Sequence, residues 1–309
     1  MKYIVTGGAG FIGSHIVEEL AQRQHEVVIF DNLFSGKMEN IVPFLGMNNV
    51  SLVRGSITDL PLLQQTFEGA DGIFHEAAIT SVPRSVKDPL FSNEAHVTGT
   101  LNVLVAAQKC GIKKIVYASS SSVYGDTPTL PKREDMVLNP KSPYAITKMT
   151  GEYYLNVFCE LYGMNTVSLR YFNVFGPRQD PNSEYSAVIP KFITKILRHE
   201  SPVIYGNGSQ TRDFTYVKDV VQANIRAMES DAQGVFNIAY GNRITLIDLA
   251  RMIMDILGEV LPLKYEAVRL GDIHNSLADI SAAQKTFGYA PEYTVTTGLE
   301  ETIAWYKNQ

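Results

Sequence analysis

Short apolar runs alternate with longer stretches of helical spacing through the first half of this chain. Tyr3-Ile4-Val5 and Val27-Val28-Ile29-Phe30 end at turn-forming or acidic residues and predict two buried strands. Residues 50–53, 72–75 and 114–118 repeat the pattern. Between them, 59–67 predicts a helix opened by Thr58 or Asp59, and 91–110 predicts a long helix. Another covers 144–162, with Ser142 at its N-cap and Pro143 in its first turn. Strands that alternate with helices imply an α/β fold: a doubly wound parallel sheet that presents its ligand at the carboxyl ends of the strands. The rhythm loosens after residue 173. Residues 175–186 mix Gly, Pro, Asn and Asp without periodicity, which predicts a long ordered loop. Beyond it a smaller, mixed α/β unit over 174–309 is expected, with some later segments returning to the first unit, 1–173.

The turn between the first strand and its helix is the most informative stretch. Gly8, Gly10 and Gly13 fit G-x-G-x-x-G, and Gly7, Gly10 and Gly13 fit a G-x-x-G-x-x-G frame. Residues without a Cβ allow a tight turn, a close approach of backbone to a pyrophosphate, and packing of the helix on its strand, while the helix's free N–H groups face the anion. Asp31 closes the second strand, eighteen residues after Gly13. Its carboxylate suits a ribose diol and repels a 2′-phosphate, so the expected cofactor is NAD rather than NADP.

Composition narrows the class without adding chemistry. The 309 residues carry 27 basic and 32 acidic side chains, net −5, with no block of like charge, so neither nucleic acid nor an anionic membrane is an expected partner. The first strand starts at residue 2 and no apolar run approaches a membrane span, which makes the cytoplasm the expected compartment. Cys110 and Cys159 lack metal-ligand spacing and the six histidines form no cluster, so no metal site is expected.

A second constellation is Tyr144-Ala145-Ile146-Thr147-Lys148. Residues four apart share a helix face, so phenol and ammonium project side by side. A free phenol titrates near pH ~10, and a neighbouring ammonium, the positive helix end and an oxidised nicotinamide would lower it toward neutrality. Such a phenol can take an alcohol proton as hydride leaves the carbon. The hydroxyl cluster Ser119-Ser120-Ser121-Ser122 follows the strand at 114–118, at the same sheet edge.

Residues 6–13, 31–32, 75–78, 119–125, 144–148, 170–176, 212–214, 269–272 and 278–279 together resemble the extended short-chain dehydrogenase/reductase family. Within it they are most similar to the nucleotide-sugar 4-epimerases of the UDP-glucose/UDP-N-acetylglucosamine type, over nearly the whole chain. The resemblance implies a Rossmann-like sheet, NAD as cofactor and a UDP-sugar as substrate. It implies that Tyr144 is catalytic base and acid, that Lys148 holds the nicotinamide ribose and tunes Tyr144, and that Ser120 bonds the sugar O4. Further NAD contacts are implied at Gly7, Gly10, Phe11, Ile12, Gly13, Asp31, Asn32, Ser35, Gly36, Ser56, Ile57, Ala77, Ala78 and Phe172. UDP-sugar contacts are implied at Ser81, Ser122, Asn173, Ala187, Val188, Tyr205, Arg212, Arg269, Asp272 and Ser276. The arginines suit a buried diphosphate, whose oxygens match a guanidinium fork.

Departures from the family pattern, and choices within it, follow from the same likeness. Ser56 stands where relatives usually carry Asp against the adenine amino group, and His96 where they carry Asn; no role is assigned to His96. Dehydratases of the family place an Asp–Glu pair in the stretch that reads Ser120-Ser121-Ser122 here, which disfavours elimination of water. UDP-glucuronate 4-epimerase, a decarboxylase and a non-catalytic NAD-sensing protein remain alternatives. The sugar pocket is expected at Thr80, Ser81, Ser120, Asn173, Ala187 and Ser276, where a small Ser276 in place of a bulky Tyr leaves room for an N-acetyl group. A homodimer is expected through two helices per subunit, since Leu101, Val103, Leu104 and Val105 in one, and Tyr153, Tyr154, Leu155, Val157 and Phe158 in the other, exceed one apolar stripe.

Overall fold

The computed structural model describes residues 1–181, 187–267 and 274–309. Its first half runs β1 (Lys2–Thr6), α1 (Phe11–Gln22), β2 (Glu26–Asp31), α2 (Val42–Leu45), β3 (Val50–Arg54), α3 (Leu60–Phe67) and β4 (Gly72–His75). Then come α4 (Val82–Lys87), α5 (Pro89–Asn93), α6 (Gly99–Lys109), β5 (Lys114–Ser120), α7 (Pro143–Tyr162) and β6 (Asn165–Tyr171). The second half holds β7 (Val174–Phe175), α8 (Val188–Leu197), β8 (Val203–Tyr205), β9 (Thr211–Arg212), β10 (Thr215–Tyr216) and α9 (Val217–Glu229). It ends with β11 (Gly234–Ile238), β12 (Ile244–Thr245), α10 (Leu246–Leu257), β13 (Lys264–Glu266), α11 (Ser281–Phe287) and α12 (Val295–Lys307).

Seven parallel strands form the main sheet in the order β11-β6-β5-β4-β1-β2-β3. The order reverses between β1 and β4, and a crevice opens at such a switch point beyond the carboxyl ends of the strands. The central strands β1, β2 and β4 are buried on both faces, so their residues are mostly apolar without alternation: Ile4, Val5, Val27 and Ile29 are fully buried. One face packs on α1, α9 and α11 through Ile16, Val17, Val220 and Phe287, the other on α3, α6 and α7 through Leu63, Val103, Leu104 and Leu155. A further core joins α8, α10 and α12 through Phe192, Ile193, Leu249, Ile253 and Leu299. The chain crosses between these cores repeatedly after residue 173, since β11 pairs with β6 and α9 and α11 cover the main sheet.

The expected single helix over 91–110 is interrupted. Between α5 and α6, residues Glu94–Thr98 form a π-helical turn, a widening that frequently marks functional sites. α7 begins as expected: Ser142 Oγ accepts from the Ala145 N–H, Pro143 occupies the first turn, and Gly163 ends the helix with φ of 64°. Among the described residues no helix is long and apolar enough to cross a membrane.

Candidate active site

At the carboxyl edge of β1 the chain turns so tightly that side chains are excluded. Gly7 has φ of +69°, and a Cβ there would lie 2.6 Å from the Ala77 nitrogen; one on Gly13 would lie 2.2 Å from the Gly7 oxygen. The turn thus brings backbone N–H groups and the start of α1 to the rim of a cavity of about 850 Å³. Asp31 lies at its edge, 7% exposed, accepting from the Ala9 and Leu33 N–H groups at 3.0 and 2.7 Å. Burial raises its carboxyl pKa, and those two N–H bonds oppose the rise. A turn too close for any side chain, with an acid at the end of β2, fits a dinucleotide: glycine backbone for the pyrophosphate, Asp31 for the adenosine ribose.

Nearly all the residues expected at the cofactor line this cavity: Gly7, Gly10, Phe11, Ile12, Gly13, Asp31, Asn32, Ser35, Gly36, Ser56, Ile57, Ala77, Ala78, Tyr144 and Lys148. Phe172 does not; it is buried in a small core with Tyr124 and Ala239. Ser56 Oγ lies 2.8 Å from Thr58 Oγ1, so the uncharged substitute for an acid is held by its own loop.

The reacting end of the cavity is formed by Ser120 from β5 and by Tyr144 and Lys148 from α7. The Ser122 N–H donates to Ser120 Oγ at 3.2 Å, which leaves the Ser120 hydroxyl proton for the Tyr144 phenol. The Ser122 side chain does not reach the cavity, and its Oγ is buried without a partner among the described residues, so only its backbone serves here. Lys148, 3% exposed, donates to the Ala118 carbonyl at 2.7 Å and lies 4.9 Å above the Tyr117 ring. Burial lowers its ammonium pKa to about 8. Tyr144 is pushed up to about 12 by the protein alone; the expected fall toward neutrality includes an oxidised nicotinamide beside it. Burial outweighs the Ser120 hydrogen bond, and the Glu76 carboxyl raises it further.

His96, which had no assigned role, sits in the π-helical turn and ties the site together. Its Nε2 accepts from the Ile79 N–H at 2.8 Å; its Nδ1 therefore carries the proton and donates to Thr147 Oγ1 at 2.8 Å. Thr147 Oγ1 in turn donates to the Tyr144 carbonyl at 2.8 Å, and the imidazole meets the Tyr144 ring edge-on at 5.7 Å. One neutral side chain thus holds the loop after β4 against the turn that carries Tyr144. Burial and then the Lys148 charge lower its pKa to about 3, which keeps it neutral.

Ser119, next to Ser120, faces a different network. Its hydroxyl donates to Glu152, which also receives both prongs of the Arg170 guanidinium at 2.9 and 2.7 Å. Arg170 reaches the Tyr124 hydroxyl, and that donates to Asn237 on β11. This buried pair fixes α7 to β5, β6 and β11 and is fully occupied, so Glu152 is not available for proton transfer.

The expected sugar-binding residues divide between two cavities. Ser81, Ser120, Tyr144, Asn173 and Ala187 line the large one, as does Thr80; Val188, Tyr205 and Arg212 line a second of about 260 Å³, between α8, β8 and α10. Asn173, Val174 and Ala187 line both, so the two spaces meet there. Asn173 has φ of 33°, an unusual conformation for a residue with a side chain, and donates to the Asp213 carbonyl and to Ser276 Oγ at 3.0 and 3.3 Å. Ser276 is buried behind Asn173 and lines neither space directly. Arg269 and Asp272 lie outside the described residues.

Several cavity residues carried no assignment from sequence: Phe34, Lys37, Glu76, Arg84, Phe91 and Arg178. Arg178 donates to Glu18 beside the first turns of α1, and Arg84 stacks over Phe34 at 5.5 Å. Glu76 alone had a signal, its place immediately after β4, where this class of sheet presents its ligand. Among the described residues no group of three or more His, Cys, Asp or Glu side chains could hold a metal ion.

A family model described as the NAD dependent epimerase/dehydratase family matches residues 3–239. The chain belongs to that family. A solved member, UDP-N-acetylglucosamine 4-epimerase from Methanobrevibacter ruminantium in complex with UDP-N-acetylmuramic acid, is 46% identical with a TM-score of 0.96, covering 100% of this chain and 98% of that one. UDP-glucose 4-epimerase of Mycolicibacterium smegmatis is 38% identical over 312 residues, 100% of this chain and 99% of the relative. UDP-glucose 4-epimerase of Thermus thermophilus, solved as a complex with NAD, is 34% identical with a TM-score of 0.90 and covers 99% of both chains. The expected cofactor of this epimerase/dehydratase family member, NAD, accords with both the family and the glycine turn.

Proposed function

We propose that the protein inverts C4 of UDP-hexoses, interconverting UDP-glucose with UDP-galactose and their N-acetylated counterparts. The observation that carries this reading is the Tyr144–Ser120 pair in a dinucleotide cleft that continues, past Asn173 and Ala187, into a second cavity lined by Arg212 and Tyr205. NAD, when bound, supplies the hydride chemistry, accepting from and returning to C4. Tyr144 takes the proton of the 4-hydroxyl and returns it to the same oxygen once the turned-over keto sugar presents the other face of C4 for reduction, and Ser120 orients that oxygen. Lys148, seated on Tyr117 and the Ala118 carbonyl, adds positive potential near the phenol, which must fall from about 12 toward neutrality when the cavity is filled. Arg212 meets the diphosphate from the second cavity. Ser121 and Ser122 supply no carboxyl for elimination, which favours epimerisation over dehydration.

The test is to incubate the purified protein, with no NAD added, with UDP-glucose, UDP-N-acetylglucosamine and UDP-glucuronate separately, and to identify products by proton NMR. Conversion of the first two to their 4-epimers is expected; turnover of the glucuronate alone would replace the hexose reading.

A homodimer belongs to the same proposal. Ile146, Tyr153, Val157 and Leu161 form one exposed apolar stripe along α7. On α6 the apolar excess is narrower than expected, because Val103 and Leu104 are buried against the sheet and only Leu101 and Val105 remain partly accessible. Light scattering at micromolar protein should give twice the 34.3 kDa chain mass, and Val157→Glu should reduce it to one.

A further inference from the structure

Among the described residues, Glu76 is a carboxyl of the reacting end that the proposed chemistry leaves unused. It follows β4 directly, lines the large cavity with Tyr144, Lys148 and Ser120, and forms no ion pair among the described residues. Its single side-chain bond comes from the Tyr171 hydroxyl at 2.9 Å, itself anchored by Asn224 Nδ2 at 2.7 Å. That support fixes the carboxyl in place without neutralising it. The charged and titratable groups around it are Lys148, whose ammonium is committed to Ala118, and the phenols of Tyr117, Tyr144 and Tyr171; His75 and His96 nearby stay neutral down to about pH 3. The Lys148 charge favours the ionised carboxyl but does not overcome its burial, and a second cation entering the cavity would favour it further. Whatever group exchanges hydride must come to this end, because Tyr144 and Ser120 are here.

We propose that Glu76 is the counter-charge of the oxidised cofactor, so that the protein retains NAD⁺, whose ring is cationic, in preference to neutral NADH. The inference rests on NAD as cofactor and not on the choice of sugar. It gives the redox-neutral cycle a resting side: the cofactor returns to the oxidised form after each turnover, and a reduced, dead-end protein accumulates less. Burial raises the Glu76 carboxyl to about 7 in the cofactor-free protein. The sign is then determined. The ionised carboxyl favours NAD⁺, so the preference is full above pH ~7 and is lost as pH falls through that value.

The experiment equilibrates the purified protein with equal concentrations of NAD⁺ and NADH, removes free nucleotide rapidly, and measures the retained ratio by absorbance and chromatography. Glu76→Gln, which keeps the shape and the bond from Tyr171, should lower the retained NAD⁺/NADH ratio by about tenfold, the equivalent of one pK unit. In the parent protein the ratio should fall between pH 8 and pH 6, and in Glu76→Gln it should be flat. An unchanged ratio in the variant, or a pH dependence that survives it, overturns the proposal. If the variant does not fold, the pH dependence of the parent decides, since a flat profile there overturns it as well. The readout is independent of epimerisation, so failure of the sugar assignment leaves this result standing.

Discussion

The two cavities that meet at Asn173 are walled by different means. The larger is bounded at its cofactor end by backbone, at positions such as Gly7 and Gly13 where a single added carbon collides with main chain. The smaller is bounded by side chains, among them Phe192, Tyr205, Arg212, Phe214 and Leu246. A wall of backbone suits a group that never changes, and it tolerates almost no substitution. A wall of side chains can be recut residue by residue while the main chain stays in place, which suits the part of a ligand that differs from one relative to the next.

Substitutions at and on either side of the junction can break that contrast. The largest effect is expected from Tyr144→Phe, which should fold and retain NAD yet lose at least about a hundredfold in turnover; near-normal turnover would remove Tyr144 from its role. Gly13→Ala comes next. Its Cβ would stand 2.2 Å from the Gly7 oxygen, and strain of about 1–3 kcal/mol should cut the NAD recovered from the denatured protein roughly tenfold or more. Arg212→Ala, on the other side, should raise the KM for UDP-sugars about tenfold while NAD content stays that of the parent, as expected for loss of a charged hydrogen bond. If NAD is lost too, the two walls are not independent. Ser276→Tyr should act most narrowly, slowing the N-acetylated sugars several-fold more than UDP-glucose and UDP-galactose, on the roughly 1–3 kcal/mol scale of overpacking. Equal slowing of all four would mean that the ring displaces Asn173, to which Ser276 is bonded, and would end the assignment.

The same contrast explains what could be seen in the chain before its structure. The cofactor end was legible because its requirements are local: glycines in a fixed frame, an acid at the end of the next strand, Tyr144 and Lys148 one helical turn apart. Arg84, Arg178 and Phe34 were not, because they reach the cavity from the short helix α4 and from loops whose course depends on packing far along the chain. His96 was visible as an oddity and silent as to role, since its partners, Ile79 and Thr147, are 17 and 51 residues away. The phenol is legible only in part: spacing gives the neighbour at four residues but not the burial, which raises the Tyr144 pKa. The return of β11 to the main sheet was expected only as unspecified later segments, because a five-residue strand carries no mark of which strand it will join.

One residue on α7 has no chemistry of its own and still limits what can be inferred from the helix. A Cβ on Gly151 would lie 2.4 Å from the Tyr117 hydroxyl, so the absence of a side chain there is what lets α7 rest directly on β5 and gives Lys148 an aromatic floor. The packing pattern of this chain is therefore longer than a tyrosine and a lysine four apart: it includes a third position, three residues on, left empty for the Tyr117 ring of the strand beneath. A bulky residue at Gly151 would push α7 off β5 or the ring out of its place, and either shift would reach Lys148 through the ring on which it rests.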